Sequence, residues 1–207
     1  MDQAERERAL WRNCADSVIH ALEHFNDAAE DGEDFHNRKW AVLSVDHAAE
    51  VYCNLLRFAF DPTLPDKRYP DLCSAADELE GHPRLLPSER FVIGKVLPVV
   101  RDARNALMHG PAPDHFTLGD AAIALLALLF ILRRRIGVTT DEFIDQSPRA
   151  EHALLESLNV EELREWTRIA EYLTKEEYGD EYLNGCDNCG GFTVPPDMLC
   201  QSCFHED

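Results

Sequence analysis

Positive charge is what this sequence has least of. Across 207 residues, 20 Lys and Arg stand against 39 Asp and Glu, a formal net charge of −19 at pH 7. That balance argues against a broad electrostatic footprint for nucleic acid, which depends on many phosphate-neutralising cations. Long apolar runs are missing too. The longest, Ala121–Leu132, falls well short of the roughly 20 residues of a membrane-spanning helix, so no membrane partner is expected and the run reads as a buried core helix. The first residues, Asp2 to Arg8, are charged and lead into an amphipathic pattern rather than an apolar stretch, so no secretory signal is expected there. No strand-like alternation precedes Gly137, and neither an internal repeat nor a low-complexity tract is found. Cys14, Cys53 and Cys73 are scattered, which fits a reducing, cytoplasmic location.

What is present suits a helical domain with an appendage. The 45% hydrophobic composition supplies one sizeable core. Residues 1–140 carry 22 acidic and 16 basic side chains, a balance of −6, while residues 141–207 carry 17 and 4, a balance of −13. Three parts are therefore expected: a helical bundle over 1–140, an acidic helical arm over 141–182, and a small module over 183–207.

Helical spacing marks the first part. Trp11, Cys14, Val18, Ala21, Leu22, Phe25 and Ala29 share one face, closed by Asp31-Gly32. A second helix is expected from about Asp34 to Phe60, presenting Trp40, Leu43, His47, Glu50, Val51, Leu55 and Phe58, with Asp61-Pro62 as its stop. A short helix follows over Asp71 to Glu80. Ser88 is the expected cap of a helix that runs to His109, in which Pro98 predicts a kink or a change of register. Thr117 is the expected cap of an apolar helix over Leu118–Arg135. Shorter helical patterns cover Thr140–Ile144, Pro148–Leu158 and Val160–Tyr172, and Leu163, Trp166 and Tyr172 read as a docking stripe rather than a base-stacking platform, for want of basic neighbours in that arm.

The last part reads as a zinc ribbon. Cys186, Cys189, Cys200 and Cys203 form two Cys-x-x-Cys knuckles joined by a short turn containing Gly and Pro. Each knuckle offers two thiolates, and the hairpin brings the pairs together around one tetrahedral Zn²⁺ per chain. Disulfides or a redox Cys-x-x-Cys are the competing readings; two knuckles within one hairpin-sized segment favour zinc. So small a module cannot bury enough apolar surface alone, so the metal's task is structural.

Chemistry concentrates between Arg101 and Gly110. At 100° per residue, Val96, Val100, Ala103 and Leu107 fall in a narrow sector that faces the core, while Arg101, Asn105 and His109 lie opposite and Arg104 flanks them. A helix C-terminus favours positive charge, and so supports both arginines and a protonated His109. Arginine offers a planar fork to phosphate oxygens and can offset charge that grows in a phosphorane, whereas histidine moves protons near neutral pH. A symmetric dimer with this face on its two-fold axis would juxtapose two His109 and two Arg104.

The segment Arg104-Asn105-Ala106-Leu107-Met108-His109, followed by Gly110 and an apolar helix, resembles the RNxxxH motif of the HEPN superfamily, all-helical domains that include metal-independent ribonucleases of toxin, phage-defence and RNA-processing systems. The stretch Ala41–Leu56, with His47-Ala48-Ala49-Glu50, is similar to the helix that often precedes the motif, although Asn54 stands near the place where those domains often have Lys. The resemblance covers roughly residues 5–137. It implies an all-α, up-and-down bundle that dimerises through the motif helix, with Arg104 and His109 as the catalytic pair and Asn105 as the residue that orients His109 or meets the phosphate. Arg101, outside the motif but on the same exposed face, is the candidate substrate-binding cation. For His47 and Glu50, hydrogen bonding within the bundle is the simpler role.

The expected function is that of a dimeric, metal-independent endoribonuclease of a bacterial defence, toxin or stress system, acting on RNA. The alternative is a non-catalytic dimeric adaptor whose acidic arm and ribbon dock a basic partner protein or antitoxin. A third arrangement has the arm fold over Arg101 and Arg104 until a partner removes it.

Overall fold

The computed structural model describes residues 3–30, 35–64, 70–109, 118–136, 154–179 and 185. Among these the chain is all-helical, with no strand, and no helix is long and apolar enough to cross a membrane.

Two long helices form the frame. Helix α1 (Gln3–Glu30) packs along α2 (Phe35–Phe60) through Cys14, Val18, Ala21, Leu22, Phe25 and Ala28. The face of α2 differs from the expected stripe. Trp40 is 45% exposed and His47 is exposed, whereas Ala41, Val42, Val45, Ala48, Ala49, Tyr52, Cys53 and Leu56 are buried. The reason is that α2 touches α1, α3, α5 and α6, so its buried arc is wide and includes Ala41, Ala48 and Ala49, which a search for large apolar side chains passes over.

The end of α2 is closed from a distance. Arg84 Nη1 donates to the carbonyls of Ala59 (3.1 Å) and Phe60 (3.3 Å), satisfying acceptors that a helix C-terminus leaves open. The same guanidinium lies 4.9 Å from the centre of the Phe60 ring, on which His82 also stacks. Next comes α3 (Leu72–Leu79), capped by Asp71, which accepts from the Ser74 amide at 2.9 Å.

From Pro87 to His109 the chain is one continuous but irregular helix: α4 (Pro87–Phe91), a π-helical turn (Val92–Val96) and α5 (Leu97–His109). The expected cap is displaced by two residues. Leu86 is the N-cap residue, Pro87 takes the first helical position, where its missing N–H is no loss, and Glu89 Oε2 accepts from the Leu86 amide at 2.8 Å. Ser88 is instead fully buried and donates to Glu177 Oε2 at 3.1 Å. The register change expected at Pro98 is present one turn earlier: the Leu97 amide bonds back five residues to the Val92 carbonyl, just before proline removes a donor.

Helix α6 (Leu118–Ile136) is buried at every residue from Ala121 to Leu132, as its unbroken apolar run requires. Residues on which its Thr117 cap depends, like Gly110 and Thr140–Ile144, lie outside the described residues.

Helix α7 (Val160–Tyr178) runs a turn and a half beyond its expected end at Tyr172. Asn159 accepts from the amides of Glu161 (2.9 Å) and Glu162 (3.0 Å), and Glu162 Oε2 accepts from the Asn159 amide (2.9 Å), a complete capping box. Trp166 is fully buried, with Ala170 and Leu173 beside it, while Leu163 and Tyr172 are each 39% exposed, Tyr172 resting against Phe91. The docking stripe is therefore Trp166, Ala170 and Leu173. These residues and Leu154 belong to the same buried cluster as α1–α6, so this part of the acidic region is built into the bundle. Gly119 permits the approach of α7 to α6, since a Cβ there would overlap the Glu162 carboxyl.

Candidate functional site

Helix α5 presents the two faces its spacing requires. Val96, Val100 and Ala103 are buried and Leu107 is half-buried, whereas Asn105 and His109 are exposed, and Arg101 and Arg104 sit between. Two of the four candidate side chains meet directly: Arg104 Nη1 donates to Asn105 Oδ1 at 2.9 Å. Asn105 thus engages Arg104 rather than His109. Among the described residues nothing joins His109 to Arg104 within the chain, and 140° of helical rotation separates them.

The charged partner of Arg104 is a residue the spacing argument passed over. Asp46, on α2, places Oδ2 3.7 Å from Arg104 Nε. Asp46 is 9% exposed, and its other oxygen, Oδ1, is buried with no hydrogen-bond partner. Burial pushes this carboxyl above the ordinary carboxylate range, against the opposing pull of Arg104 and, less, of His47 and Arg101. Burial outweighs the cation because a 3.7 Å contact to Nε is looser than a hydrogen bond. A signal for Asp46 does exist in the sequence. Its helical position falls between Val42, Ala49 and Cys53, on the buried arc, and a carboxylate on such an arc calls for a partner.

The neighbouring groups on α2 extend the cluster. Burial raises Glu50 as well, with His47 pulling it down, and it feels both Asp46 and Arg104. Neither His47 nor Glu50 makes a side-chain hydrogen bond among the described residues, so the bundle-bonding role expected for them is not the one observed. They line a groove of about 340 Å³ with Leu10, Asn13, Val51 and Asn54. Asn54, where the resemblance leads one to look for Lys, does structural work: its Nδ2 donates to the carbonyls of Glu50 and Pro70, both at 3.0 Å, and its Oδ1 accepts from Arg57.

Arg101 points elsewhere. Its Nη1 lies 3.4 Å from Cys73 Sγ and its Nε 3.4 Å from Asp102 Oδ1. It also lines a groove of about 740 Å³ with Arg90, Lys95, Phe91, and, from α7, Tyr172 and Glu176. Tyr172 therefore shares a groove with three basic residues from outside its own segment, Arg90, Lys95 and Arg101. The acidic helix reaches the Arg101 groove, whose lining does not include Arg104.

Apart from Cys73, which is half-buried beside Arg101, the cysteines divide into two sets. Cys14 and Cys53 are buried, and burial pushes the Cys14 thiol up to about 12 and Cys53 upward too, so both are inert core groups. Cys186, Cys189, Cys200 and Cys203 lie outside the described residues. Among the described residues no group of three or more His, Cys, Asp or Glu side chains is arranged to hold a metal ion.

No protein-family model matches the chain, and neither a curated protein nor a solved structure matches it.

Proposed function

We propose that the chain is a HEPN-like, metal-independent endoribonuclease active as a dimer, with a zinc ribbon formed by its last four cysteines. The observation that carries this reading is the seating of Arg104. A buried carboxylate on α2 takes its Nε edge and Asn105 takes Nη1, which leaves Nη2 on a half-exposed side chain for a phosphate oxygen. An arginine that merely solvates a surface has no need of a buried carboxylate with an orphaned oxygen, because burying that charge costs stability.

In this mechanism a histidine removes the proton from a ribose 2′-hydroxyl, which attacks the adjacent phosphorus. Arg104 offsets the charge on the pentacovalent phosphorane, and a second acid protonates the leaving 5′-oxygen. The products carry a 2′,3′-cyclic phosphate and a 5′-hydroxyl. Two His109 meeting at a two-fold axis supply the base and the acid. A ribbon with four Cys ligands leaves its zinc no open position for water, so the ion serves the fold.

The test is cleavage of labelled RNA in buffer with chelator. Arg104→Ala and His109→Ala should each lower the rate by at least about 100-fold, the order of one lost acid–base or oxyanion group, without unfolding the protein. Mixing the two inactive variants should restore a fraction of the activity, since one hybrid site then carries an intact arginine and histidine from different chains. If wild-type protein is active and the mixture stays dead, both groups work within one chain, where His47 is the second imidazole beside Asp46 and Glu50. An inactive wild type, or normal cleavage by both variants, favours the adaptor reading, which draws support from the outward Glu161, Glu165 and Glu176 of α7.

A further inference from the structure

Helix α1 carries a pair of imidazoles that the ribonuclease reading does not use. His20 and His24 stand one turn apart, and their Nε2 atoms are 3.2 Å from each other. Two histidines at i and i+4 can reach one metal ion from a single helix face. With Zn–N bonds of about 2.0–2.1 Å, a tetrahedral ion holds two nitrogens about 3.3 Å apart, whereas adjacent ligands of a square-planar ion lie about 2.9 Å apart. The observed spacing is closer to the tetrahedral value.

The surroundings of each ring favour the same assignment. Glu23 Oε2 lies 3.5 Å from His20 Nδ1, on the side of the ring away from His24. A carboxylate on that side favours the tautomer with its proton on Nδ1, which leaves the Nε2 lone pair for a metal, as closer carboxylate partners of metal-binding histidines do. His24 stacks on Trp40 of α2, with ring centres 6.1 Å apart and planes inclined by 23°, which restrains its ring in turn. The site is open, since the His20 side chain is 61% exposed and His24 is half-buried. No third ligand joins them among the described residues.

We propose that His20 and His24 form a second metal site, one that takes a borderline divalent ion such as Zn²⁺ on two imidazole nitrogens and leaves its other positions to water. It is independent of the cysteine ribbon and of the Arg104 face. The competing account of the 3.2 Å contact is a hydrogen bond in which His24 Nε2–H donates to His20 Nε2.

Calorimetric titration of ZnCl₂ into the full chain, purified with any tightly held metal in place, separates the two. The proposal requires one added equivalent of zinc, bound at least tenfold more weakly by His20→Ala and by His24→Ala and unchanged by His47→Ala, which alters an exposed histidine of α2. Glu23→Gln should weaken it by less than about tenfold, since tenfold is the lower end of what a closely hydrogen-bonded partner of a ligand contributes and the Glu23 contact is longer than such a bond. Both histidines are on the surface, so the variants keep the fold, which circular dichroism checks. An added equivalent that survives both alanine variants, or no added equivalent up to millimolar zinc, overturns the site and leaves the contact as a hydrogen bond between neutral rings.

Discussion

Two buried carboxylates sit on opposite sides of α2 in their chemistry. Glu89, on the α4 side, is fully buried, and each of its oxygens accepts a hydrogen bond, one from the Tyr52 hydroxyl at 2.7 Å and one from the Leu86 amide at 2.8 Å. Asp46, on the α5 side, has a loose contact to Arg104 and an oxygen with no partner. Satisfied buried groups hold a fold together, while an unsatisfied one is a cost that the fold must carry. The bundle is therefore finished around Glu89 and left unfinished around Asp46, and the unfinished end is where the arginine of the candidate motif lies.

Stability measurements put that contrast under the greatest strain at Glu89. Replacing Glu89 by Ala removes both acceptors, takes away the N-cap bond of α4 and opens space beside Tyr52. Urea unfolding should show a loss of about 3–5 kcal/mol, the range for breaking a buried, charge-assisted network. Tyr52→Phe removes only the donor to Oε1 and should cost about 1.5–3 kcal/mol. Losses under about 1 kcal/mol in both would erase the distinction between the two carboxylates.

Asp46→Asn should behave in the opposite sense. Removing a buried charge with one idle oxygen should leave the protein within about 1 kcal/mol of wild type, or more stable, while the proposed RNA cleavage should fall because Arg104 loses its anchor. The pH dependence has a definite sign. Since burial raises the folded pKa of Asp46 above its unfolded value, its contribution to stability is fully present below the ordinary carboxylate pKa of about 3.9 and is lost as pH rises through the folded value. Wild type should therefore lose ground to Asp46→Asn as pH rises from about 4, and the difference should level off once Asp46 is ionised. Glu50 is raised in the same direction and is present in both proteins; the part of its shift that comes from the Asp46 charge is removed with Asp46 and adds to the difference in the same sense. A difference that shrinks with rising pH would mean that the Arg104 pair outweighs burial.

How legible this was depended on what each residue does locally. The apolar run of α6, the core sector of α5 and the burial of Trp166 follow from periodicity, because there the side chain's own hydrophobicity decides its place. The face of α2 does not, since it is packed against four other helices and part of its buried arc is alanine, and neither does the position of α7 against α4 and α6, which rests on Ser88, Glu177 and Gly119, far apart in sequence. Within the site, Arg104, Asn105 and His109 are visible as a motif, but Asp46 is signalled only by its place between Val42, Ala49 and Cys53, small apolar residues that are easily left out of a core face. The pairing of Ser88 with Glu177 had no local signal, as serine before a helix reads first as a cap.

The smallest effect sharpens the comparison on the satisfied side, at the start of α7. Gly119→Ala should have two nearly opposed consequences. Alanine gains up to about 1 kcal/mol over glycine inside a helix, while its Cβ displaces the Glu162 carboxyl and so removes the bond to the Asn159 amide, a capping interaction worth about 1 kcal/mol. Because the displaced atoms are the far end of a flexible side chain, Glu162 can swing aside without moving either backbone. Global stability should thus stay within about 1 kcal/mol of wild type, and cleavage, which the proposed function places on the α2–α5 side, should be unchanged. The change should appear locally, as faster hydrogen exchange at the amides of Asn159, Glu161 and Glu162. A loss well beyond 1 kcal/mol would mean that the backbones of α6 and α7 had separated, and that Trp166 leaves the core when their contact at Gly119 is lost.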